Sequence, residues 1–340
     1  MSSAEPAAPA PPGLRIRPYA GEGDLPDIVR VENAEWAADQ FDYRSTVAEQ
    51  RAHYGHPSEQ FDAARDVVIA EVDGRVVGFA NQSWVDTNDG EVREFRLGGA
   101  VDPEWRRRGI GAALLADNER RARALAATQR TERPLAFGAF SGEHQPGAIA
   151  LLSGAGYREI RYFFDMERPT LDDVPDVPLP DGLQVRPIKP DLYRRVWDAD
   201  VEAFRDHWGG FDTSDAALQR YLDAPDNDPS LWVIAFDGDE IAGGVINTIY
   251  AEENRALGAR RGWLDSVFTR RPWRRRGLAR ALIARSLVVL RERGMTSAVL
   301  GVDAENPSGA FGLYESVGFG VVKRFSAWRK PMSDGVNDVR

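Results

Sequence analysis

Two short runs in this sequence have the makings of an anion site. They are Arg106-Arg107-Arg108-Gly109-Ile110-Gly111 and Arg274-Arg275-Arg276-Gly277-Leu278-Ala279, the same Arg-x-x-Gly-x-Gly/Ala pattern 168 positions apart. Each follows an apolar run and opens a helical pattern, so each reads as a basic turn leading into a helix start. There the first backbone N–H groups have no intrahelical partner and the helix dipole is positive. Glycine admits a ligand where a side chain would collide with it, and the arginines add fixed charge. A diphosphate suits such a place. One copy is a weak motif; two in equivalent contexts are much stronger.

The elements that must position these turns also come in two sets. Leu14 to Pro18 reads as a short strand, and Leu183 to Pro187 repeats it. Each leads into an amphipathic helical pattern, Leu25 to Asp39 and Leu192 to Phe204. A hairpin follows in each set: Val67 to Val72 and Val76 to Ala80 about Asp73-Gly74, then Trp232 to Phe236 and Ile241 to Ile246 about Asp237-Gly238. The strands before the arginine turns are Leu97 to Val101 and a run from Trp263. After the turns come helices, then strands Leu135 to Phe140 and Val299 to Val302, helices Gly147 to Ala155 and Asn306 to Val317, and last strands Ile160 to Met166 and Val321 to Trp328. Self-similarity over so long a period means duplication. Pro169 to Gly182, rich in Pro and Asp, reads as a stiff extended linker between the copies.

Composition narrows the function. A chain of 340 residues with 43% hydrophobic side chains is too long for one ordinary core and suits two globular domains. No apolar run approaches the roughly 20 residues of a membrane helix, and no segment addresses the protein outside the cytoplasm. Cysteine is absent, which removes disulfides, thiolate zinc sites and cysteine nucleophiles. His53, His56, His144 and His207 are scattered, so no metal site is expected. A net charge of −10 disfavours a nucleic-acid partner despite the arginine runs and tolerates a cationic substrate.

The order of elements and the two turns, with Asn306, Ala310, Leu313, Tyr314, Gly318 and Phe319 matching a final helix motif, together resemble the GNAT superfamily of acetyl-CoA-dependent N-acetyltransferases. The resemblance is to its tandem form, the branch that includes the mycothiol synthases, and it covers nearly the whole chain. It implies an α/β (α+β) fold of two tandem GNAT domains. Each would be a mixed, mostly antiparallel sheet flanked by helices, with two central strands splayed apart to admit the cofactor arm. The expected boundaries are a tail at 1–13, domains at 14–168 and 183–332, the linker at 169–182, and a tail at 333–340.

Site residues follow from the same resemblance. Acetyl-CoA would be the co-substrate. Its diphosphate would lie on the turn formed by Arg274, Arg275, Arg276, Gly277, Leu278 and Ala279, its pantetheine arm on the backbone of Val267 and Thr269 and on Asn306, and Tyr314 would protonate the departing thiolate. The first-copy counterparts are Gly99, Val101, Arg106, Arg107, Arg108, Gly109, Ile110 and Gly111. Asp265, two residues before Val267 in a strand and so on its face, is a candidate base, with a pairing to Arg270 or Arg271 as its structural alternative. Asp206 and His207 are alternatives for contacting substrate or relaying a proton, and Asp303 is a further one. In the first copy Leu152, His144 and Leu97 occupy the places of Tyr314, Asn306 and Asp265. The C-terminal domain is therefore expected to be catalytic, and the N-terminal one structural or acetyl-CoA-binding without turnover. The implied activity is acetylation of a primary amine on a small molecule by direct attack, more narrowly of a cysteinyl-sugar amine. A non-catalytic acyl-CoA sensor or scaffold is the alternative of another class. A monomer or homodimer is expected, with no membrane partner.

Overall fold

The computed structural model describes residues 9–306 and 309–333. The rest of the expected tails, and two residues at the start of the helix expected from Asn306, lie outside the described residues. In chain order the elements are β1 (Leu14–Pro18), α1 (Leu25–Ala38), α2 (Val47–Gly55), α3 (Ala63–Asp66), β2 (Val67–Val72), β3 (Arg75–Asp86), β4 (Arg93–Val101), α4 (Ile110–Ala126), β5 (Leu135–Gly142), α5 (Pro146–Gly154) and β6 (Arg158–Arg168). They continue with β7 (Leu183–Val185), α6 (Tyr193–Ala203), α7 (Asp215–Leu222), β8 (Val233–Asp237), β9 (Glu240–Thr248), α8 (Ala251–Leu257), β10 (Arg261–Thr269), α9 (Leu278–Glu292), β11 (Ser297–Asp303), α10 (Ala310–Glu315) and β12 (Gly320–Pro331).

These elements form two compact units that are not consecutive stretches of chain. Unit 1 comprises the described residues of 1–161, 209–224 and 325–340, and unit 2 those of 162–208 and 225–324. In unit 1 the strands run β1-β2-β3-β4-β5-β12, with β4 and β5 parallel and the other neighbours antiparallel. The hairpin between β2 and β3 turns on Asp73 and Gly74, both left-handed at φ 51° and 80°, the geometry that matches strand twist. Side chains alternate across the sheet. Val67 and Ile69 pack against Leu25, Ile28 and Val31 of α1, whereas Val68, Ala70 and Val72 pack against Ile110 and Leu114 of α4.

Unit 2 repeats this plan with the order β6-β11-β10-β9-β8-β7, in which residues 163–168 of β6 pair with β11. Leu282, Leu287 and Leu290 of α9 are 0% exposed, packed on Val233, Ala235, Val245 and Leu264. Each such side chain contributes about 1.5–3 kcal/mol on burial, which fixes the start of α9 relative to the sheet.

The central strands part in both units. β4 pairs with β5 only from Arg93 to Arg96, opposite Leu135 to Gly138. β10 pairs with β11 only from Arg261 to Trp263, opposite Ser297 to Val299. The remaining halves of β4 and β10 therefore present a free edge on that side.

The final strand of each sheet comes from the other stretch of the sequence. Phe325 to Pro331 pair with Gly142 to Ala136 in unit 1, where the expected boundaries would keep 325–331 with the second copy. Trp328 donates to Ser141 Oγ at 2.9 Å, Lys330 to Glu119 at 2.8 Å, and Arg329 to Glu94 at 2.8 and 2.9 Å with both side chains buried. Residues 169–182 are also more than a spacer. Leu171 is 1% exposed in the core of unit 2, and its N–H donates to Thr296 O at 3.0 Å.

Candidate active site

The opened strand of unit 2 is β10. Arg270 N–H donates to Ala242 O of β9 at 3.0 Å, so at a period of two the amides of Val267 and Thr269 point to the other edge, where β11 has left. The Val267 side chain packs against the core built with α9. Between Leu264 and Ser266 the register of β10 on β9 shifts, making Asp265 the extra residue of a β-bulge. The two-residue count from Asp265 to Val267 consequently does not place them on one face. Asp265 instead accepts from Tyr250 Oη at 3.2 Å, on the side of the sheet away from α9.

Asp265 is open to solvent, but it sits among enough protein that desolvation holds its pKa up to about 6, against hydrogen bonds from Thr248 and Tyr250. It forms no pair with Arg270 or Arg271, which are engaged by Glu202 and Asp206.

The adjacent residue, Ser266, donates to Asp200 Oδ1 of α6 at 2.6 Å. Asp200 lies on the helix's inner stripe with Val196, Ala199 and Ala203, and burial raises its pKa to about 6. Sequence reasoning missed Asp200 and Ser266. The available signal was a carboxylate on the apolar stripe of an amphipathic helix, with Glu32 168 positions earlier on the matching stripe of α1.

The arginine turn leads from Thr269 into α9. Arg275 takes φ 60° and Gly277 φ 83°, alternations that turn successive N–H groups toward one concavity. The first helical bond runs from Ala281 to Gly277 O at 3.2 Å, so the amides of Leu278, Ala279 and Arg280 precede the ladder. The three arginines are not equivalent. Arg274 braces the turn, donating to Thr269 O at 2.9 Å, Ala203 O at 3.0 Å and Asp206 at 2.8 Å, whereas Arg275 and Arg276 are exposed.

Asp206 is committed to this brace. It bonds Arg271 and Arg274, which hold its carboxyl well below the usual carboxylate range. The His207 ring lies against Phe204, with centroids 4.3 Å apart. Asp303 caps the strand end by accepting from Glu305 N–H at 3.0 Å, and Asn306 donates its N–H to Asp303 O at 3.2 Å. Tyr314 lies in the same core as Leu278, with Val267 packed against that core. It meets Phe319 edge-on at 6.2 Å, and burial raises its pKa to about 12.

Unit 1 repeats the geometry with substitutions. Arg107 takes φ 63° and Gly109 φ 78°, and Arg106 is bound by Asp39 at 2.6 and 2.8 Å. Asp102 N–H donates to Val77 O at 2.9 Å, so the amides of Gly99 and Val101 point to the open edge. There the Glu35 carboxylate faces the Val101 amide and Arg106, and burial lifts its pKa to about 7. Leu97 and Leu152 pack together in the core. Glu32, held up to about 7 by burial, accepts from Gln50 Nε2 at 3.0 Å.

A doubled sheet with parted central strands, each leading to an amide-lined helix start, defines an α/β class of fold. Residues 193–319 match the acetyltransferase (GNAT) family model and residues 63–148 an acetyltransferase (GNAT) domain model. The mycothiol acetyltransferase of Salinispora arenicola (strain CNS-205) is 30% identical over 299 residues, covering 87% of this chain and 89% of that protein. That of Geodermatophilus obscurus is 29% identical over 309 residues, covering 89% and 93%. Among solved structures, a GCN5-related N-acetyltransferase from Sphaerobacter thermophilus superposes with TM-score 0.71 at 26% identity, over 97% of this chain and 99% of that one. A tandem GNAT protein from the clavulanic acid biosynthesis pathway shares the fold, with TM-score 0.68 at 18% identity, over 95% and 100%. The chain belongs to the GNAT acetyltransferase family and is a tandem N-acetyltransferase. Among the described residues no helix is long and apolar enough to cross a membrane.

Proposed function

We propose that this protein transfers the acetyl group of acetyl-CoA to a primary amine of a small molecule, with unit 2 as the working centre. The observation that carries the reading is the free edge of β10. Its Val267 and Thr269 amides face the gap and the strand leads directly into the Arg275–Gly277 turn. The diphosphate lies on the turn and the amides of Leu278 and Ala279, the pantetheine arm runs along the free edge as an added strand, and Asn306 bonds it from the far side.

An amine with a lysine-like pKa of about 10.4 must shed a proton before it attacks the thioester carbon. Asp265, with its pKa at about 6, is ionised at neutral pH and draws the ammonium form into the gap, where it loses its excess proton to water before attack. As the C–N bond forms, the carbonyl oxygen takes up negative charge and is held by the Val267 N–H. The C–S bond then breaks and Tyr314 gives its proton to the thiolate. Unit 1 shares the turn but has Leu152 in place of Tyr314, and Glu35 at the Val101 amide. This favours acetyl-CoA binding or a structural role there without turnover.

The test is thiol release from acetyl-CoA across a panel of small primary amines. Production of an N-acetyl product from at least one amine supports the reading. Tight binding of coenzyme A with no product from any amine would replace it with a sensor. The curated relatives are mycothiol acetyltransferases, which favours a cysteinyl-sugar amine as the narrower acceptor and earns it a place in the panel.

A further inference from the structure

We propose that Asp200, acting through the hydroxyl of Ser266, is the group that takes the amine's proton in unit 2. This rests on the reading of unit 2 as the transfer centre. Ser266 immediately precedes Val267, whose amide faces the gap, and it donates its hydroxyl hydrogen to Asp200 Oδ1 at 2.6 Å. That orientation leaves the Ser266 oxygen lone pairs free to receive a proton from the attacking nitrogen. In the step, the nitrogen bonds to the thioester carbon and its proton passes to Ser266 Oγ. The Ser266 hydrogen passes at once to Asp200, and the thiolate leaves and is protonated by Tyr314. Asp200 later returns its proton to water and the Tyr314 phenolate takes one back from water, so the chemistry balances without another reactant.

The surroundings of Asp200 suit an acceptor better than a structural partner. On its own helix Arg194 pairs with Asp198, and Glu202 with Arg270. On β9 Glu240 also goes to Arg270, and on β10 Arg261 goes to Glu253. In the turn after α6, Asp206 goes to Arg271 and Arg274, and on β10 Asp265 accepts from Tyr250. Asp200 is thus a half-buried carboxylate with a single hydroxyl donor and no cation to hold it ionised, so desolvation raises its affinity for a proton. The duplication supplies an internal comparison. Glu32 stands at the same place in unit 1, but Gly98 occupies the Ser266 position, so the first copy has the carboxylate without the hydroxyl.

The experiment is the pH dependence of kcat at saturating amine for wild type, Asp200→Asn, Ser266→Ala, the double variant and Asp265→Asn, with KM for the amine and acetyl-CoA binding measured on each. Wild type is expected to lose activity on an acid limb near pH 6. Asp200→Asn and Ser266→Ala should each fall about 100-fold and lose that limb, with acetyl-CoA binding unchanged and the double variant no slower than either single. Asp265→Asn should raise KM for the amine and keep the limb. The proposal is overturned if Asp200→Asn and Ser266→Ala keep the limb while Asp265→Asn abolishes it, or if the two single losses multiply. Should Asp200→Asn lose acetyl-CoA binding through misfolding, Ser266→Ala alone decides. A wild-type protein inert toward every amine would instead refute the parent reading.

Discussion

Arg107 and Arg275, 168 residues apart in the chain, both carry the backbone into the left-handed region, at φ 63° and 60°. A non-glycine residue held there costs of order 1 kcal/mol or more. Its occurrence at matched positions, each two residues before a left-handed glycine, marks a turn whose shape is retained in both units.

Substitution in that turn should separate the units. Gly277→Val forces a branched residue to φ 83° and sets a side chain where the diphosphate would rest. Coenzyme A affinity at unit 2 is expected to fall at least about tenfold and acetyl transfer to drop with it. Gly109→Val should leave transfer intact and remove any second bound equivalent, as read by calorimetric stoichiometry.

Tyr314→Phe deletes one hydroxyl from a packed ring. With a pKa pushed up to about 12 the phenol stays protonated throughout the neutral range, the form a thiolate needs. Loss of the acid is expected to reduce kcat about 100-fold, with KM for acetyl-CoA and the unfolding midpoint nearly unchanged. Equal turnover by the two proteins would remove Tyr314 from the mechanism.

Glu32 should make stability depend on pH with a defined sign. Its folded pKa is about 7, above an unfolded value of about 4.3, so between those values the folded chain binds more protons and stability falls as pH rises. Glu32→Gln removes the penalty and places an amide donor beside Gln50 Oε1, a buried acceptor that lacks a partner. Denaturant unfolding should show the variant gaining about 1–3 kcal/mol over wild type at pH 8 and less at pH 5. A constant difference across that range would contradict the burial argument.

A fragment ending at residue 182 should not fold cooperatively. It lacks Phe325 to Pro331, leaving β5 with a bare edge and Glu94 without Arg329. In the full chain Arg329→Met should cost about 3 kcal/mol, the lower end for a broken buried pair, because Arg96 still reaches Glu94 at 3.1 Å. Circular dichroism and urea unfolding check both.

The parts that were legible in the sequence are those with local chemistry. Asp-Gly dipeptides flag both hairpins, and the Arg-x-x-Gly runs flag both helix starts, because turn conformation is set by a few adjacent residues. The bulge at Asp265 was not legible, since it arises from how β10 pairs with β9 and not from Asp265 itself, and it changed which face that carboxylate serves. The helix expected from Asn306 is described only from Ala310 to Glu315. α2, α7 and α8 carry weaker patterns and went unrecognised. The source of the last strand in each sheet was hidden for a different reason: β6 and β12 are both alternating runs, and alternation says nothing about which neighbour a strand will find.

Because β5 ends at Gly142 and its partner begins only at Phe325, the ribosome makes more than 180 further residues before unit 1 can complete its sheet. Throughout that interval the nascent chain carries an unmet strand edge. Unit 1 can therefore close its sheet only once nearly the whole chain has been translated.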